Sequence, residues 1–411
     1  MSLRDSPRPS RRFRPPDRDR PVRIGVVGTG FVSRHFAMFV QDRPGFEISR
    51  VLTRRPLGAC DDHPAGHGLT DSLADLLDRC DVVLECSGDP IHATDVVDAA
   101  CRAGRPVVTM NSEFHVTAGS YFVDRGLVTE ADGDQPGSLA ALREEALNMG
   151  FRPLVYGNLK GFQKLTPTPD DMAYWAARNG ISVPMTTSFT DGTKIQFEQA
   201  LVANGCGATL AVPGMLGPAV DDLGAGALLL AERAKALGEP ISDYILSPRL
   251  PHGVFVVAEH SEQQRDALRY FKLGDGPYYT LLKPNILVHL EILKTVKRVI
   301  GGGGPLLNNS ERPRIGVATI AKHDLAPGTR IETGIGSFAV RGSAVDIVDN
   351  AGHLPIGLAA NAVLTRRVEA GQVLALADVE IPETLTLKAW REVEGRALTP
   401  PSRPSRESPP D

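Results

Sequence analysis

The sequence is poor in cysteine, has no long apolar run and carries little excess charge of either sign. Its five cysteines are an odd number and none forms a Cys-x-x-Cys pair, which argues against a disulfide framework and against a thiolate zinc site. No stretch of about 18 apolar residues occurs, so we expect no membrane-spanning segment. The formal charge of −4 does not favour nucleic acid as a partner. We expect a cytoplasmic homo-oligomer that acts on a small-molecule substrate.

Both ends of the chain have the composition of disordered tails. Residues 1–20 hold seven arginines, three aspartates and several prolines without an apolar run, so they match neither a secretory signal nor an amphipathic transit peptide. Residues 391–411 end in a stretch dominated by proline, serine and arginine. The 411 residues together are enough for two or three domains.

A glycine turn follows the first predicted strand. Residues 22–27 are short, apolar and rich in valine, which predicts a buried parallel strand. The next six residues form a G-x-G-x-x-G motif with Ser33 at the third glycine, where a small residue is enough for close helix packing. The motif predicts that a helix N-terminus binds the pyrophosphate of a dinucleotide. The residues predicted to hold it are Gly28, Thr29, Gly30, Phe31 and Val32.

Two arginines follow the second predicted strand, residues 47–53. An NAD enzyme usually places an acidic residue at the end of this strand, where it binds the ribose 2′-hydroxyl. This chain has Arg54 and Arg55 instead, and guanidinium groups suit a 2′-phosphate. We therefore predict NADP(H) as the cofactor. The alternative is a solvated arginine pair.

Strands and helices continue to alternate up to the fifth strand, residues 106–110. This alternation predicts the α/β class, with an N-terminal Rossmann domain built on a doubly wound parallel sheet. Ligands bind at the carboxyl ends of the strands in such sheets. Ser87, Gly88 and Asn111 follow two of these strands, so we expect them to line the nicotinamide side of the cleft.

Lysines are the candidate catalytic groups of the following segment. Reduction of a carbonyl requires a group that stabilises the developing alkoxide. Lys194 closes a Thr-Asp-Gly-Thr-Lys turn before a predicted helix and is the first choice, and Lys160 is the second. Asp191 is expected to orient Lys194 or to bind a metal. The alternative for the lysines is a role in surface ion pairs. Asp132 and Asp134 form either a second acidic pair or a polar turn.

Two further patterns predict loops without chemistry. His63 and His67 have a spacing known from zinc sites, but proline and glycine surround them, so a flexible loop is predicted. Residues 301–305 are rich in glycine but lack the Lys-Ser/Thr pair of a phosphate-binding loop, which predicts a linker.

Several of these motifs resemble those of a known family. Residues 22 to about 115 resemble the coenzyme domain of homoserine dehydrogenase, including the ECSG turn and the AGRPVVTMN strand. The motifs at 132–136, 187–194 and 272–277 resemble homoserine-dehydrogenase-like proteins that end in a SAF domain. That family includes the type II 1-deoxy-D-xylulose 5-phosphate reductoisomerases, which are NADPH enzymes. The resemblance spans about residues 22 to 390.

The resemblance implies further expectations and also shows departures. Homoserine dehydrogenases carry a lysine just after the fifth strand, whereas this chain has Ser112 and Glu113, which counts against that activity. The family match also suggests substrate contacts in the third motif and the segment after it, with a structural loop as the alternative. The residues concerned are Lys272, Asp275, Lys283 and His289.

The predicted organisation is a Rossmann domain, an α+β substrate and dimerisation domain and a small β-rich SAF module. Similar half-motifs at 321–331 and 367–374 carry the SAF resemblance, and a lid, a dimer contact and a purely structural role all remain open for this module. The predicted bounds are a tail over 1–20, the Rossmann domain over 21–118, the substrate domain over 119–300, a linker over 301–314, the SAF module over 315–390 and a tail over 391–411.

The function predicted from these features is that of a biosynthetic NADPH-dependent oxidoreductase. It would reduce a carbonyl of a small polar or phosphorylated, sugar-phosphate-like substrate. One alternative is a reductoisomerase of the deoxyxylulose phosphate type, which needs a divalent metal. Another is a non-catalytic NADP-binding sensor or scaffold. Homoserine dehydrogenase is the least favoured.

Overall fold

The first sheet contains the glycine turn that the sequence predicts. A computed structural model describes residues 20–399, and within them this sheet has six parallel strands. These strands are β1 Val22–Val27, β2 Phe46–Leu52, β3 Leu69–Thr70, β4 Val82–Glu85, β5 Val107–Thr109 and β6 Val128–Glu130. The helices among and after them are α1 Phe31–Gln41, α2 Leu73–Arg79, α3 Pro90–Arg102 and α4 Ser112–Ala118. β1 and β4 are buried almost throughout because helices cover both faces of the sheet.

The strand order identifies the fold of this part of the chain. The order is β3-β2-β1-β4-β5-β6, so the direction of winding reverses between β1 and β4. This is the strand order of the Rossmann fold, and the reversal opens a crevice at the carboxyl ends of β1 and β4. The predicted α/β class and Rossmann-type sheet are thus confirmed.

The first sheet extends beyond residue 118, where the sequence predicted its domain to end. β6 pairs in parallel with β5, with Thr109 opposite Glu130. β6 has only three residues, too few for its periodicity to be recognised in the sequence. Its carboxyl end lies beside that of β5.

A second, mixed sheet follows, with order β10-β9-β7-β8. Its strands are β7 Arg152–Lys160, β8 Ile241–Leu246, β9 Gly253–Glu259 and β10 Tyr278–Pro284. The helices of this region are α5 Gln135–Asn148, α6 Pro169–Asn179, α7 Val183–Thr190, α8 Thr193–Cys206, α9 Leu223–Leu237, α10 Arg265–Tyr270 and α11 Ile292–Ile300. Nearly every residue of α8 is buried, including Gln196 and Gln199, whose side chains bond to backbone groups of neighbouring strands.

A C-terminal β module, residues 315–381, packs against α8 and α4. Its strands are β11 Ile315–Ala321, β12 Arg330–Ile331, β13 Val340–Asp346, β14 Ala362–Leu364 and β15 Val379–Glu380. The Gly342 amide donates a hydrogen bond to Thr193 Oγ1 at 2.9 Å. A Cβ on Gly357 would lie 2.2 Å from Thr117 Oγ1 of α4, so glycine is required for this close approach.

The chain continues into a helix, α12 Leu385–Leu398, where a tail was predicted from residue 391. The prediction is wrong for this stretch because Leu387, Trp390 and Val393 recur at helical spacing and are all buried. α12 packs on α3 and α4. The predicted tail residues 1–19 and 400–411 lie outside the described residues.

Among the helices between residues 20 and 399, none combines the length and the apolar content needed to cross a membrane.

Candidate active site

The glycine turn after β1 fits the diphosphate of a dinucleotide. Gly28 has φ +103°, and a Cβ there would lie 3.1 Å from the Cys86 carbonyl oxygen. A Cβ on Gly30, in contrast, would meet no atom within 4 Å, so this glycine leaves open space beside the helix. No side chain caps the N-terminus of α1, which begins at Phe31. The first N–H groups of the helix, next to Thr29 and Val32, therefore point into a space that suits an anion.

Ser33, at the third position of the motif, binds a buried histidine. His63 Nδ1 accepts a hydrogen bond from the Ala65 amide at 3.2 Å, so Nε2 carries the proton and donates to Ser33 Oγ at 3.1 Å. Burial lowers the pKa of His63 and favours this neutral form. His63 lies in a loop, as predicted, and this bond joins the loop to α1. In residues 20–399, no group of three or more His, Cys, Asp or Glu side chains is arranged to hold a metal ion.

Arg54 and Arg55 line a cavity of about 530 Å³ at the end of β2. Arg54 pairs with Asp89 at 2.8 Å, and its side chain is 60% exposed. The other carboxylate oxygen of Asp89 accepts hydrogen bonds from the Ile91 and His92 amides and caps α3. The cavity is lined by Leu52, Thr53, Arg54, Arg55, Pro56, Leu57, Asp71, Leu73 and His92. The two guanidinium groups suit a phosphate, although two carboxylates lie beside them, that of Asp71 in the lining and that of Asp89 paired with Arg54.

Glu85 organises the carboxyl ends of β4 and β5. Its carboxylate accepts hydrogen bonds from the Ser87 amide at 2.8 Å, from the Ser87 hydroxyl and from Thr109 Oγ1 at 2.9 Å. Burial raises the pKa of Glu85, and the hydrogen bonds from Ser87 and Thr109 oppose that rise. Gly88 follows with φ +71°, and a Cβ there would lie 3.8 Å from Met185 Cε of α7. Asn111 caps α4 by accepting from the Phe114 amide at 2.9 Å.

Lys194 extends from α8 to the start of α4. Its ammonium group lies 3.0 Å from Ser112 Oγ, 3.0 Å from Glu113 Oε2 and 3.7 Å from Asp134 Oδ2. Burial lowers the pKa of Lys194, but the charges of Asp134 and Glu113 outweigh it and raise that pKa. Lys194 is thus a permanent cation beside Asn111, at the carboxyl ends of β5 and β6.

A second buried group lies behind this ion pair. Glu130, at the end of β6, and His115 of α4 are fully buried, with 3.4 Å between His115 Nε2 and Glu130 Oε2. Burial and then the charge of Asp134 raise the pKa of Glu130 well above its usual value, which favours the protonated carboxyl. Burial lowers the pKa of His115 to about 3. Both side chains are therefore neutral, and the charge of Asp134 acts on the Glu130 carboxyl as well as on Lys194.

Lys160 belongs to the same cluster through Glu198. Its ammonium lies 3.1 Å from Glu198 Oε2, which also accepts from Asn158 Nδ2 at 3.0 Å. Glu198 is one helical turn after Lys194, so α8 directs both side chains to one place. Burial raises the pKa of Glu198, and the charges of Lys160 and Lys194 oppose the rise. The structure therefore brings together the two lysines that the sequence singles out.

Asp191 has another role than the predicted one. Its carboxylate lies 2.7 Å from Lys322 Nζ of the C-terminal β module and accepts from the Thr193 amide at 2.8 Å. Asp191 therefore bonds to the first residue of α8 and to the β module, and the carboxylates in contact with Lys194 are Glu113 and Asp134. The expectation that Asp191 orients Lys194 is wrong because its charge is matched by a lysine distant in sequence.

In the third motif of the family resemblance, residues 272–277, and in the segment after it, Asp275 and Lys283 form ion pairs within the fold. Asp275 is exposed and pairs with Arg269 at 2.5 Å. Lys283 lies 2.7 Å from Asp132 and also 2.7 Å from Glu291, so these groups join β10 to the loop after β6.

His289 lies elsewhere, at the glycine turn, with its ring centroid 5.3 Å from that of His35 in α1. The sequence offered Asp132 and Asp134 as an acidic pair, but the two have separate partners. Asp132 pairs with Lys283, and Asp134 lies near Lys194.

Comparison with known proteins gives one family match. Residues 133–292 match the family described as oxidoreductase DRL, catalytic domain. This segment contains Asp134, Lys160, Lys194 and Glu198, which form most of the cluster just described. The chain is an oxidoreductase. A comparison with curated proteins finds no match.

Solved structures with similar folds are distant. UDP-N-acetylglucosamine 3-dehydrogenase GnnA from Acidithiobacillus ferrooxidans is 13% identical with a TM-score of 0.39, over 70% of this chain and 91% of that one. The dipicolinate-bound dihydrodipicolinate reductase from Paenisporosarcina sp. TG-14 is 14% identical with a TM-score of 0.35, over 68% and 94%. The WlbA dehydrogenase from Bordetella pertussis, in complex with NADH and UDP-GlcNAcA, is 20% identical with a TM-score of 0.30, over 39% and 48%.

The sequence reasoning missed four glutamates of this oxidoreductase: Glu85, Glu113, Glu130 and Glu198. Three of them carried a recognisable signal. Glu85 ends an otherwise apolar strand, and Glu113 replaces part of a lysine motif. Glu198 follows Lys194 at helical spacing. Glu130 gave no signal, because β6 itself was not predicted.

Proposed function

We propose that the chain is an NADP(H)-dependent oxidoreductase that reduces the carbonyl of a small polar or phosphorylated substrate. The observation that carries the proposal is the Lys194 ammonium, held by Glu113 and Asp134 at the edge of the sheet where Asn111 follows β5 and caps α4. Ligands bind at this edge in Rossmann folds, next to the strand order reversal. The resemblance to the homoserine-dehydrogenase-like proteins with a SAF domain supports a sugar-phosphate-like substrate.

The coenzyme supplies the hydride when it is bound. The glycine turn, Gly28 to Val32, binds the diphosphate through the N-terminus of α1, and Arg54 and Arg55 bind the 2′-phosphate. Glu85 fixes the turn at Ser87 and Gly88 and so shapes the nicotinamide side of the cleft. Met185 of α7 lies over Gly88 and helps to exclude water from that side.

Lys194 stabilises the negative charge that develops on the substrate oxygen. Because its pKa is raised, the ammonium keeps its charge and acts by donating hydrogen bonds to that oxygen. Removal of one such donor in an enclosed site typically costs about 100- to 1000-fold in kcat.

Lys160 adds a second positive group to the substrate side. Its side chain is mostly buried beside Glu198, and together with Lys194 it favours an anionic or strongly polar substrate. A phosphorylated hydroxy-aldehyde or hydroxy-ketone has both the carbonyl and the charge that this arrangement suits.

The test is a coenzyme titration followed by a panel of carbonyl substrates, with and without EDTA. We expect NADPH to bind more tightly than NADH, and a phosphorylated carbonyl compound to be reduced. In Lys194→Met, kcat is expected to fall by about 100-fold or more with the coenzyme Kd unchanged. Equal turnover by Lys194→Met and the unaltered chain would contradict the proposal. Complete loss of activity with EDTA would instead favour the metal-dependent reductoisomerase.

A further inference from the structure

A second cavity lies between the N-terminus of α3 and the C-terminal β module. Its volume is about 470 Å³. It is lined by Arg54, Gly88, Asp89, Pro90, Ile91, His92, Asp95, Thr333, Gly334, Ile335, Ile356, Gly357, Ala360 and Asn361. About half of these residues belong to the β module, so two distant parts of the chain form the cavity together.

The lining of this cavity is unsuited to a phosphate. It contains the carboxylates of Asp89 and Asp95 and one guanidinium, Arg54, which already pairs with Asp89. Ile335 and Ile356 of the β module supply apolar surface. A flat, uncharged ring system with hydrogen-bond donors at its edge fits such walls, since most ligand sites combine apolar surface with a few polar groups.

This cavity shares two of its lining residues with the arginine-lined cavity at the end of β2. Arg54 and His92 line both cavities, and Arg55 lines only the arginine-lined one. In the NADP coenzyme, the 2′-phosphate and the base are attached to adjacent carbons of one ribose. A phosphate held by Arg54 and Arg55 therefore leaves the base in the neighbouring space.

We propose that the cavity between α3 and the C-terminal β module binds the adenine of the coenzyme, with the β module as one of its walls. This inference rests on the proposed function and extends it, because it makes the β module part of the coenzyme site. Ile335 and Ile356 contact one side of the purine, and the Asp89 and Asp95 carboxylates accept hydrogen bonds at its edge.

The β module is held in place for this role. A Cβ on Gly336 would lie 2.1 Å from the Pro184 carbonyl oxygen of α7, and one on Gly357 would lie 2.2 Å from Thr117 Oγ1 of α4. The loop between β12 and β13, which carries Thr333 to Ile335, is therefore packed directly against α7. Met185 of α7 also lies over Gly88, another lining residue of this cavity, so α7 and the loop of the β module meet beside it.

The experiment measures binding of two halves of the coenzyme by calorimetry on the full chain. Adenosine 2′,5′-bisphosphate is the probe for the adenine half, and nicotinamide mononucleotide is the probe for the other half. Ala360→Trp fills the cavity without removing core packing, and Ile335→Ala removes apolar wall. Val348→Ala, an exposed site of the same module outside the cavity, is the matched control. Melting temperatures show that each variant is folded.

We expect Ala360→Trp to weaken binding of adenosine 2′,5′-bisphosphate by more than about 10-fold and Ile335→Ala by about 5-fold, since buried apolar area is lost or blocked. Binding of nicotinamide mononucleotide and both affinities of Val348→Ala should equal those of the unaltered chain. Unchanged bisphosphate affinity in folded Ala360→Trp, with binding lost in Arg54→Ala, would overturn this inference and leave the proposed function intact. Failure of the unaltered chain to bind any NADP(H) would overturn both.

Discussion

The carboxylate of Asp89 has two tasks that compete with coenzyme binding. One oxygen caps α3, and the other pairs with Arg54 at 2.8 Å. A 2′-phosphate at Arg54 must take over the contact that Asp89 makes in the structure. With the proposed 2′-phosphate site at Arg54, Asp89 is expected to weaken NADP(H) binding while it holds Arg54 in position.

Asp89→Asn tests this competition because asparagine keeps the cap but loses the charge. Ion pairs of such exposure contribute about 0.2–1 kcal/mol, so we expect NADPH affinity to rise by up to about 5-fold. NADH lacks the 2′-phosphate and serves as the control ligand, with an affinity that stays nearly the same. An equal gain for NADH, measured by the same titration, would show that the carboxylate does not act on the 2′-phosphate.

Glu113 sets the charge state of Lys194 together with Asp134. In Glu113→Gln one of the carboxylates that raise the pKa of Lys194 is lost, so that pKa falls. The ammonium is charged below its pKa, and the activity it supports is lost as pH rises through that value. The unaltered enzyme should keep its kcat at alkaline pH because Lys194 stays charged, whereas in Glu113→Gln we expect kcat to fall at a lower pH, measured as a pH–rate profile. Coinciding profiles of the two proteins would mean that Glu113 does not act through the charge of Lys194.

At the scale of single residues, Lys194 was singled out because a local motif surrounds it, and its catalytic role stays a prediction. Sequence reasoning failed for Asp191, because the Lys322 that pairs with this carboxylate is 131 residues away and no local pattern links the two. The sequence also did not reveal the partner of Glu113, which was noted only because homoserine dehydrogenases carry a lysine in this place. Charge pairing over such distances depends on how α4 and α8 pack, and a single sequence does not encode that packing locally.

At the scale of the elements, the burial of α4 has a direct consequence for pH dependence. This helix is buried over its whole length, and His115 within it stays neutral in the folded state down to a pKa of about 3. In the unfolded chain a histidine takes up a proton near pH 6.5. As pH falls below about 6.5, the unfolded state binds the additional proton, so the free energy of unfolding decreases.

His115→Gln removes this proton uptake. Between pH 6 and 5 we expect the free energy of unfolding to fall less steeply in the variant, by up to about 1.4 kcal/mol per pH unit. Urea denaturation at several pH values measures the slope. Between pH 7.5 and 8.5, where this histidine titrates in neither state, the two slopes should coincide. Parallel slopes below pH 6 would contradict the neutral buried state of His115.

Elements with a strong pattern were predicted within a few residues. β1 was predicted at 22–27 and is found at Val22–Val27, and the glycine turn and α1 follow as expected. β6 has three residues and was missed because its pattern is too short. Residues 391–398 of α12 were assigned to a tail because the sequence after residue 398 is rich in proline. The apolar residues of the helix nevertheless recur at helical spacing.

For the molecule as a whole, the contact between Gly357 and Thr117 joins the β module to the first domain. In Gly357→Ala, the added Cβ would overlap Thr117, and we expect a loss of about 1–3 kcal/mol in the free energy of unfolding. Gly395→Ala, in α12, is the control, since a Cβ there meets nothing within 4 Å.

Thr117→Ala combined with Gly357→Ala tests the cause of that loss. The hydroxyl at 2.2 Å is removed, while the Cβ at 3.1 Å remains, so the double variant should recover part of the lost stability. Strictly additive losses, measured by denaturation of all variants, would show that the two sites do not touch.

The position of α12 also bears on the order in which the chain assembles. Ala389 shares a core with Val96, Phe114 and Phe122, so a helix of the last residues completes an apolar layer of the first domain. On the ribosome, the glycine turn and its sheet emerge early, yet this layer stays open until synthesis has passed residue 398. β1 and the glycine turn are therefore synthesised long before the apolar layer that α12 completes is closed, and that layer stays exposed in the nascent chain until then.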